Sequence, residues 1–458
     1  MTMKKLFGTD GVRGTANSWP MTPDVVLKLA IAAGHYFLNN LPKPYVHGDH
    51  RFTVVIGKDT RLSGYMVESA LVSGFVAMGI DVILLGPLPT PAVAMLTRSL
   101  RANLGVMISA SHNPYQDNGI KFFTSDGSKL SDDEEQAIEA LTFEDVPLAP
   151  VSQLGKAKRL DDAAGRYIEF AKATFPRGQR LDGLKIVVDC AHGAAYKVAP
   201  RVLWELGADV VALAVDPNGS NINDGCGVMD LAALQKQVLE TESNVGIALD
   251  GDADRLIMID EKGRILDGDQ LMALIASVWY ERGMLKGDGV VGTVMSNLGF
   301  ERYLETKGLT LYRASVGDRS VLETMKEKGC NVGGEQSGHI VLNDYATTGD
   351  GLIAALQVLS LMQQEKRKAS ELGHTFAPVP QILRNVRTAH PVDLAHPVIQ
   401  QAIRKAEDHL LPHGHLLVRR SGTEPVIRLM AQGDDELLLA RVLHDLTGVI
   451  QSVSSEVV

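Results

Sequence analysis

Residues 104–121 read L-G-V-M-I-S-A-S-H-N-P-Y-Q-D-N-G-I-K. A short apolar strand over 104–108 runs into a loop that presents Ser111 beside His112, with Lys121 beyond a second turn. A serine hydroxyl is a weak nucleophile at neutral pH, so neighbours must position it or take its proton, roles open to His112 and Lys121. The same residues, taken alone, also suit a turn in which the hydroxyl caps a backbone N–H and the imidazole donates to a carbonyl.

A second run weighs against that plain turn. After the apolar stretch 245–249 the chain reads D-G-D-A-D-R, placing Asp250, Asp252 and Asp254 two apart. On a continued strand these carboxylates would stand about 7 Å from one another, too far for one small ion, so the chain must curl into a loop. Converging carboxylates repel without a cation, and a few hard oxygen ligands suit Mg²⁺, which fills its remaining positions with water or phosphate oxygens. Glu261 stands where a calcium-binding EF-hand loop starting at Asp250 would want its last ligand, but Arg255 occupies the position that needs Gly. Apolar, strand-like segments flank the loop where an EF-hand requires helices. A solvated acidic turn is the remaining plain alternative.

Two further segments carry ligand chemistry. In V-G-G-E-Q-S-G-H at 332–339, Glu335, Ser337 and His339 sit among glycines that let backbone approach a ligand, a set suited to gripping sugar hydroxyls. A Gly-rich turn around a buried Glu would have the same composition. In R-R-S-G-T-E-P-V-I-R at 419–428, Arg419, Ser421, Gly422, Thr423 and Arg428 offer guanidinium forks, hydroxyls and exposed N–H groups, an anion cradle matched to phosphate. An exposed basic turn is the alternative there. Together the four segments describe a phosphoryl-transfer site built for a phosphorylated sugar.

With these residues in view, the chain resembles the α-D-phosphohexomutase superfamily nearly end to end. F-G-T-D-G-V-R-G at 7–14 and G-K-D-T-R-L-S-G at 57–64 join the four segments above in carrying the likeness. The resemblance implies that Ser111 carries a transferable covalent phosphate, one oxygen of which meets Mg²⁺, and that Asp250, Asp252 and Asp254 hold one Mg²⁺ per chain. It implies further that the loop from Glu335 to His339 contacts the sugar and the loop from Arg419 to Thr423 binds the substrate's phosphate. Arg420 departs from the Pro or Lys common at its place. Arg13, Lys121 and Arg255 read as electrostatic partners of the migrating group, with Lys121 and His112 both open as proton acceptor. Gln336 and the start D-G-V-R-G-T point, by resemblance, to glucosamine 6-phosphate as the small-molecule phosphosugar substrate; glucose and mannose phosphates are the alternative. The family also implies a homodimer.

The elements that must position these residues follow from periodicity. Apolar strands alternate with amphipathic helices, which predicts an α/β chain. Strands are expected over 53–57, 81–85 and 104–108, then 184–189, 209–213 and 245–249, then 290–293 and 309–313, with helices over 22–39, 63–78, 165–174 and 351–364. Ser131 and Glu134 form a capping box. The boundaries expected are 1–155, 156–255, 256–372 and 373–458: three similar mixed-sheet α/β/α domains and a smaller C-terminal α+β domain, the four meeting at a central cleft as the superfamily implies.

Composition narrows the partners. A net charge of −10 argues against nucleic acid or an anionic membrane, since both demand basic surface. Cys190, Cys226 and Cys330 are odd in number and lack C-x-x-C spacing, so neither a disulfide framework nor a zinc site is expected and the compartment reads as reducing cytoplasm. The start turns polar too early for a secretory signal, and the most apolar stretch, 70–96, is broken by Asp81 and prolines.

Overall fold

In the computed structural model, residues 5–8, 10–40, 51–388, 390, 392–420 and 426–455 are described. The first sheet contains β1 (Val12–Thr15), β2 (Thr53–Lys58), β3 (Asp81–Pro87), β4 (Leu104–Ile108), β5 (Asp117–Thr124) and β6 (Ala157–Arg159), in the order β1-β5-β4-β2-β3-β6. Strands β2, β3, β4 and β6 run parallel, while β5 and β1 are added antiparallel at one side. Every residue of β4 is buried, as expected of a strand covered on both faces. Its Val106 and Ile108 pack with the helices Pro23–Asn40 and Gly64–Ala77, and its Met107 packs on the other side with the helix Thr90–Ser99. The alternation of side chains along the strand thus produces the α/β/α layering.

The second sheet holds β7 (Lys185–Asp189), β8 (Asp209–Leu213), β9 (Val245–Leu249), β10 (Leu256–Asp260) and β11 (Ile265–Leu266), ordered β11-β10-β9-β7-β8. The third holds β12 (Gly289–Thr293), β13 (Thr310–Ala314), β14 (Val332–Gly334) and β15 (Ile340–Leu342), ordered β13-β12-β14-β15. Each of these sheets again has a parallel core and an antiparallel edge. The fourth, fully antiparallel sheet contains β16 (Gln381–Arg387), β17 (Gly414–Arg420) and β18 (Val426–Gly433), ordered β16-β18-β17, with the helices Pro397–Leu410 and Glu436–Ser455 packed on it. The α/β plan of three mixed-sheet units and a smaller α+β unit is therefore observed.

Sheet membership moves the expected boundaries. The third unit does not begin at Leu256: the D-G-D-A-D-R loop reverses the chain, so β10 pairs antiparallel with β9, Leu256 opposite Leu249, and belongs to the second sheet. Nor does the first unit end at residue 155, because β6 lies parallel to β3 and extends the first sheet. The stretch just before β16 belongs with the third unit, where the Phe376 ring stacks on Phe300 with centroids 5.8 Å apart. The Ser131–Glu134 capping box forms as expected. No helix among the described residues is long and apolar enough to cross a membrane.

One buried tie joins the second and third units. Tyr167, on the helix Ala163–Ala173, donates its hydroxyl to both oxygens of Asp350 at 3.0 and 2.9 Å, and Asp350 caps the helix Gly351–Glu365 by accepting from the Ile353 N–H at 2.9 Å. Burial pushes the Asp350 carboxyl up to about 6 against the pull of those donors. The folded state therefore holds that proton more tightly than an unfolded chain, whose Asp titrates near ~3.9, and stability falls as pH rises through that window before levelling off above it. Tyr167→Phe removes one donor and is expected to cost about 1–3 kcal/mol. Because Asp350 then titrates still higher, the loss in melting temperature should be larger at about pH 8 than at about pH 5. Thermal melts of both proteins at the two pH values check this.

Candidate active site

Three loops at the carboxyl ends of parallel strands meet: 109–116 after β4, 250–255 after β9 and 335–339 after β14. Open α/β sheets place ligands at that end because the strands stop there and the connecting loops are free to vary. Ser111 is almost fully buried in a left-handed conformation, φ +53°, and its Oγ donates to Asp250 Oδ2 at 2.6 Å. Its N–H donates to Ser109 Oγ at 2.9 Å, and His112 Nδ1 stands 3.4 Å from its Oγ.

Asp250, Asp252 and Asp254 each bring a carboxylate oxygen within 4.8 Å of the others. All three are buried, and Asp252 Oδ1 and Asp254 Oδ1 have no hydrogen-bond partner among the described residues. Hard, buried acceptors left free in this way fit a divalent cation such as Mg²⁺. Burial, reinforced by the charges of Asp254 and Asp252, pushes the Asp250 carboxyl well above the usual range. Burial acts in the same sense on Asp254, but Lys121 and His339 outweigh it and hold that carboxyl well below the range.

Lys121, on β5, places Nζ 2.9 Å from Asp252 Oδ2, 3.2 Å from Asp254 Oδ2 and 3.3 Å from Asp10 Oδ2. Burial opposes its charge, yet the carboxylates of Asp10, Asp252 and Asp254 keep it well above the usual lysine value. His112 goes the other way: burial and the Arg255 and Arg13 guanidinium groups push it down to about 4, so the imidazole is neutral at neutral pH. Arg13 pairs with Asp10, and Lys129 links Asp10 to Asp318 at 2.5 and 2.6 Å. The buried His339 ring lies between Asp254, 3.7 Å from Nδ1, and Asp318, 3.6 Å from Nε2; burial opposes its charge, but these carboxylates hold it up at about 9. Arg255 donates its N–H to Asp250 Oδ1 at 3.1 Å, and its guanidinium stays charged, against burial, beside Asp254, Asp250, Asp318 and Glu335.

Glu335 accepts from the Gly317 N–H at 2.9 Å and from Ser337 Oγ at 3.1 Å, which orients the carboxylate. Gly338 is obligatory in this loop, since a Cβ there would stand 2.2 Å from Leu256 O at φ +96°. Gln336 donates to Asp267 Oδ2 at 3.1 Å. Arg419 and Arg428 face one another directly across β17 and β18, and neither has a carboxylate partner among the described residues. Like charges paired in this way repel unless an anion lies between them. Ser421, Gly422 and Thr423 lie outside the described residues. Among the described residues, no hydrogen bond or ion pair joins Arg419 or Arg428 to the Ser111 cluster. Arg420 turns back to donate to Val392 O at 2.5 Å.

Sequence reasoning assigned no role to the residues that hold this cluster in place. Thr90 donates its hydroxyl to Asp252 Oδ2 at 2.6 Å and its N–H to Asp252 O at 2.9 Å. Asp59 and Arg61, both fully buried, form an ion pair at 2.8 Å. Arg61 then donates to the carbonyls of Ser111, Asn113 and Asp117 at 2.9, 2.8 and 3.1 Å, and to that of Pro114. Asp59 Oδ2 accepts from Ser109 Oγ at 2.7 Å. The signal for this pair was the D-x-R spacing inside G-K-D-T-R-L-S-G; Thr90 and Asp318 carry no comparable local signal.

The chain matches the phosphoglucomutase/phosphomannomutase family models over α/β/α domain I at residues 4–147, domain II at 165–263, domain III at 267–378 and the C-terminal domain at 383–449. It belongs to this family. Membership makes it a phosphohexomutase, an isomerase. A phosphoglucosamine mutase of Granulibacter bethesdensis is 60% identical over 458 residues, covering 100% of this chain and 98% of that protein. One from Rhodospirillum rubrum is 59% identical, covering 99% of this chain and 100% of that protein. Among solved structures, a phosphoglucomutase/phosphomannomutase family protein of Burkholderia thailandensis shares the fold with a TM-score of 0.79 at 24% identity, over 98% of this chain and 97% of the other. The N-acetylphosphoglucosamine mutase of Aspergillus fumigatus, solved with GlcNAc-6P and magnesium, shares it with a TM-score of 0.67 at 18% identity, over 98% and 96% of the two chains.

Removing Arg61 would leave the buried Asp59 charge unpaired. Arg61→Ala is therefore expected to lose about 3–5 kcal/mol of unfolding free energy, measured by urea denaturation. A loss under about 1 kcal/mol would show that the pair does not hold the Ser111 loop.

Proposed function

We propose that this phosphohexomutase interconverts glucosamine 6-phosphate and glucosamine 1-phosphate by way of a phosphorylated Ser111. The observation that carries the reading is the buried Ser111 hydroxyl hydrogen-bonded to one of three converging, buried aspartates. The choice of amino sugar is supported by relatives of about 60% identity along the whole chain that bear the name phosphoglucosamine mutase.

Asp250, Asp252 and Asp254 would hold Mg²⁺, which supplies positive charge beside the phosphoryl oxygens. In the first transfer the bond from Ser111 Oγ to phosphorus breaks and a bond from the sugar's 1-oxygen to phosphorus forms. The hydroxyl proton of the sugar leaves to a base; His112, neutral and beside Ser111 Oγ, is the acceptor this geometry supports. The bisphosphate then reverses its orientation, the bond from its 6-oxygen to phosphorus breaks as one from Ser111 Oγ forms, and the proton held by the base passes to the 6-oxygen, restoring the phosphorylated chain and releasing the 1-phosphate. Arg13, Lys121 and Arg255 would stabilise the charge that develops on the migrating group. Glu335, Ser337 and His339 would orient the sugar, while Arg419, Ser421, Gly422, Thr423 and Arg428 would grip the phosphate that is not reacting. Three free cysteines suit a reducing, cytoplasmic setting for such an enzyme.

Ser111→Ala should abolish turnover, and the active wild type should carry an added mass of about 80 Da at Ser111, one phosphoryl group, by peptide mapping. Near-normal rates in the variant would remove the covalent route. Asp252→Asn should raise the Mg²⁺ concentration needed for half-maximal rate. Comparing kcat/KM for glucosamine, glucose and mannose phosphates tests the substrate, and a preference for a neutral hexose would overturn the amino-sugar assignment.

A further inference from the structure

The loop that carries Ser111 is held from two sides, and only one of them is its own domain. Asn223, in the loop after β8 of the second unit, donates from Nδ2 to the Ser111 carbonyl at 2.9 Å and to the Asn113 carbonyl at 3.0 Å. These are the same two oxygens that accept from Arg61 Nη2. Carbonyl oxygens only accept, so the amide must present its NH₂ to them. Its own Oδ1 is buried without a hydrogen-bond partner among the described residues, an unfavourable state that is retained alongside the two donated bonds.

The surroundings are built for this contact. Asn223 takes φ +57°, a conformation Asn tolerates better than most residues, and its N–H is tied to Ala191 O at 2.9 Å. Asp189 braces both segments, accepting from the Ala191 and Gly227 N–H groups at 2.8 Å each. Gly251, between the first two aspartates of the triad, leaves the space: a Cβ there would stand 2.5 Å from Ser111 O and 3.0 Å from Asn223 Nδ2.

We infer that Asn223 is a positioning residue, clamping the Ser111 carbonyl from the second domain so that the nucleophile is registered against the aspartate loop of that same domain. The inference rests on Ser111 being the residue that carries the phosphoryl group. With the Ser111 N–H held by Ser109 and its carbonyl held by Arg61 and Asn223, both peptide planes flanking its Cα are set. The direction of the Cα–Cβ bond follows from them, and the hydrogen bond to Asp250 then fixes Oγ. In-line transfer tolerates little misplacement, so the clamp acts on the rate of transfer and leaves sugar binding alone.

Two variants separate the amide from the backbone it sits on. Asn223→Gly keeps the left-handed conformation and removes both donors, while Asn223→Asp keeps the shape and turns an acceptor toward the two carbonyls. In the full-length enzyme with Mg²⁺ and glucosamine 6-phosphate, both should lower kcat, the Asp variant by about 10- to 100-fold and more than the Gly variant, with KM within about threefold of wild type. Incubation with glucosamine 1,6-bisphosphate, followed by intact mass, should show the variants reaching the wild-type phosphoserine content more slowly. A kcat within about twofold of wild type in a folded Gly variant, or a loss confined to KM, would overturn the clamp. A wild-type enzyme that turns over without ever gaining the phosphoryl mass would instead sink the phosphoserine reading and remove the clamp's purpose.

Discussion

Burying like charges together is the constraint on which this structure turns. Asp250, Asp252 and Asp254 are buried with the half-buried Asp10 and Asp318 beside them, and an isolated buried carboxylate there would be far too costly to keep ionised. Lys121, Lys129, Arg13, Arg255 and the protonated His339 answer them. The cluster is thus close to neutral before any ligand arrives. A serine phosphate brings about two negative charges, which a divalent cation cancels, so the proposed chemistry could load both without disturbing the balance.

That constraint also explains the division of labour between domains. Most of the groups that neutralise the aspartates come from other units: Lys121 and Lys129 from the first and His339 from the third, with Arg255 alone supplied by the second. The second domain alone would present three carboxylates at the end of its sheet against the single guanidinium of Arg255. Docking the first and third units against it is therefore electrostatically coupled to completing the site. Backbone-directed bonds from Arg61, Asn223 and Thr90 then convert a rough gathering of charge into fixed geometry. Buried networks of this kind stiffen a site only when nearly every member is satisfied.

Much of this was legible along the chain. Strands at 104–108, 209–213 and 245–249 were expected where they form, since alternating or continuous apolar runs between turn residues mark buried strands without tertiary information. Ser111, Lys121 and the three aspartates stood out because nucleophile and metal-ligand chemistry needs particular residue types at close spacing. Two of the misplaced boundaries had one cause: β6 and β10 are short strands whose local sequence fits either neighbouring unit, and only pairing decides to which sheet they belong.

Residue identity alone determined the chemical inventory, a hydroxyl, three hard carboxylates and several cations, because reactivity resides in functional groups that no fold alters. Tertiary structure decided which of them act on one another. The run holding Asp59 and Arg61 carries the family likeness, but only their burial beneath the Ser111 loop shows what the pair does, and nothing near Asn223 in the chain reveals that its amide crosses to the first domain. Contacts separated by a hundred residues leave no local pattern, since periodicity records only which face of its own element a side chain occupies.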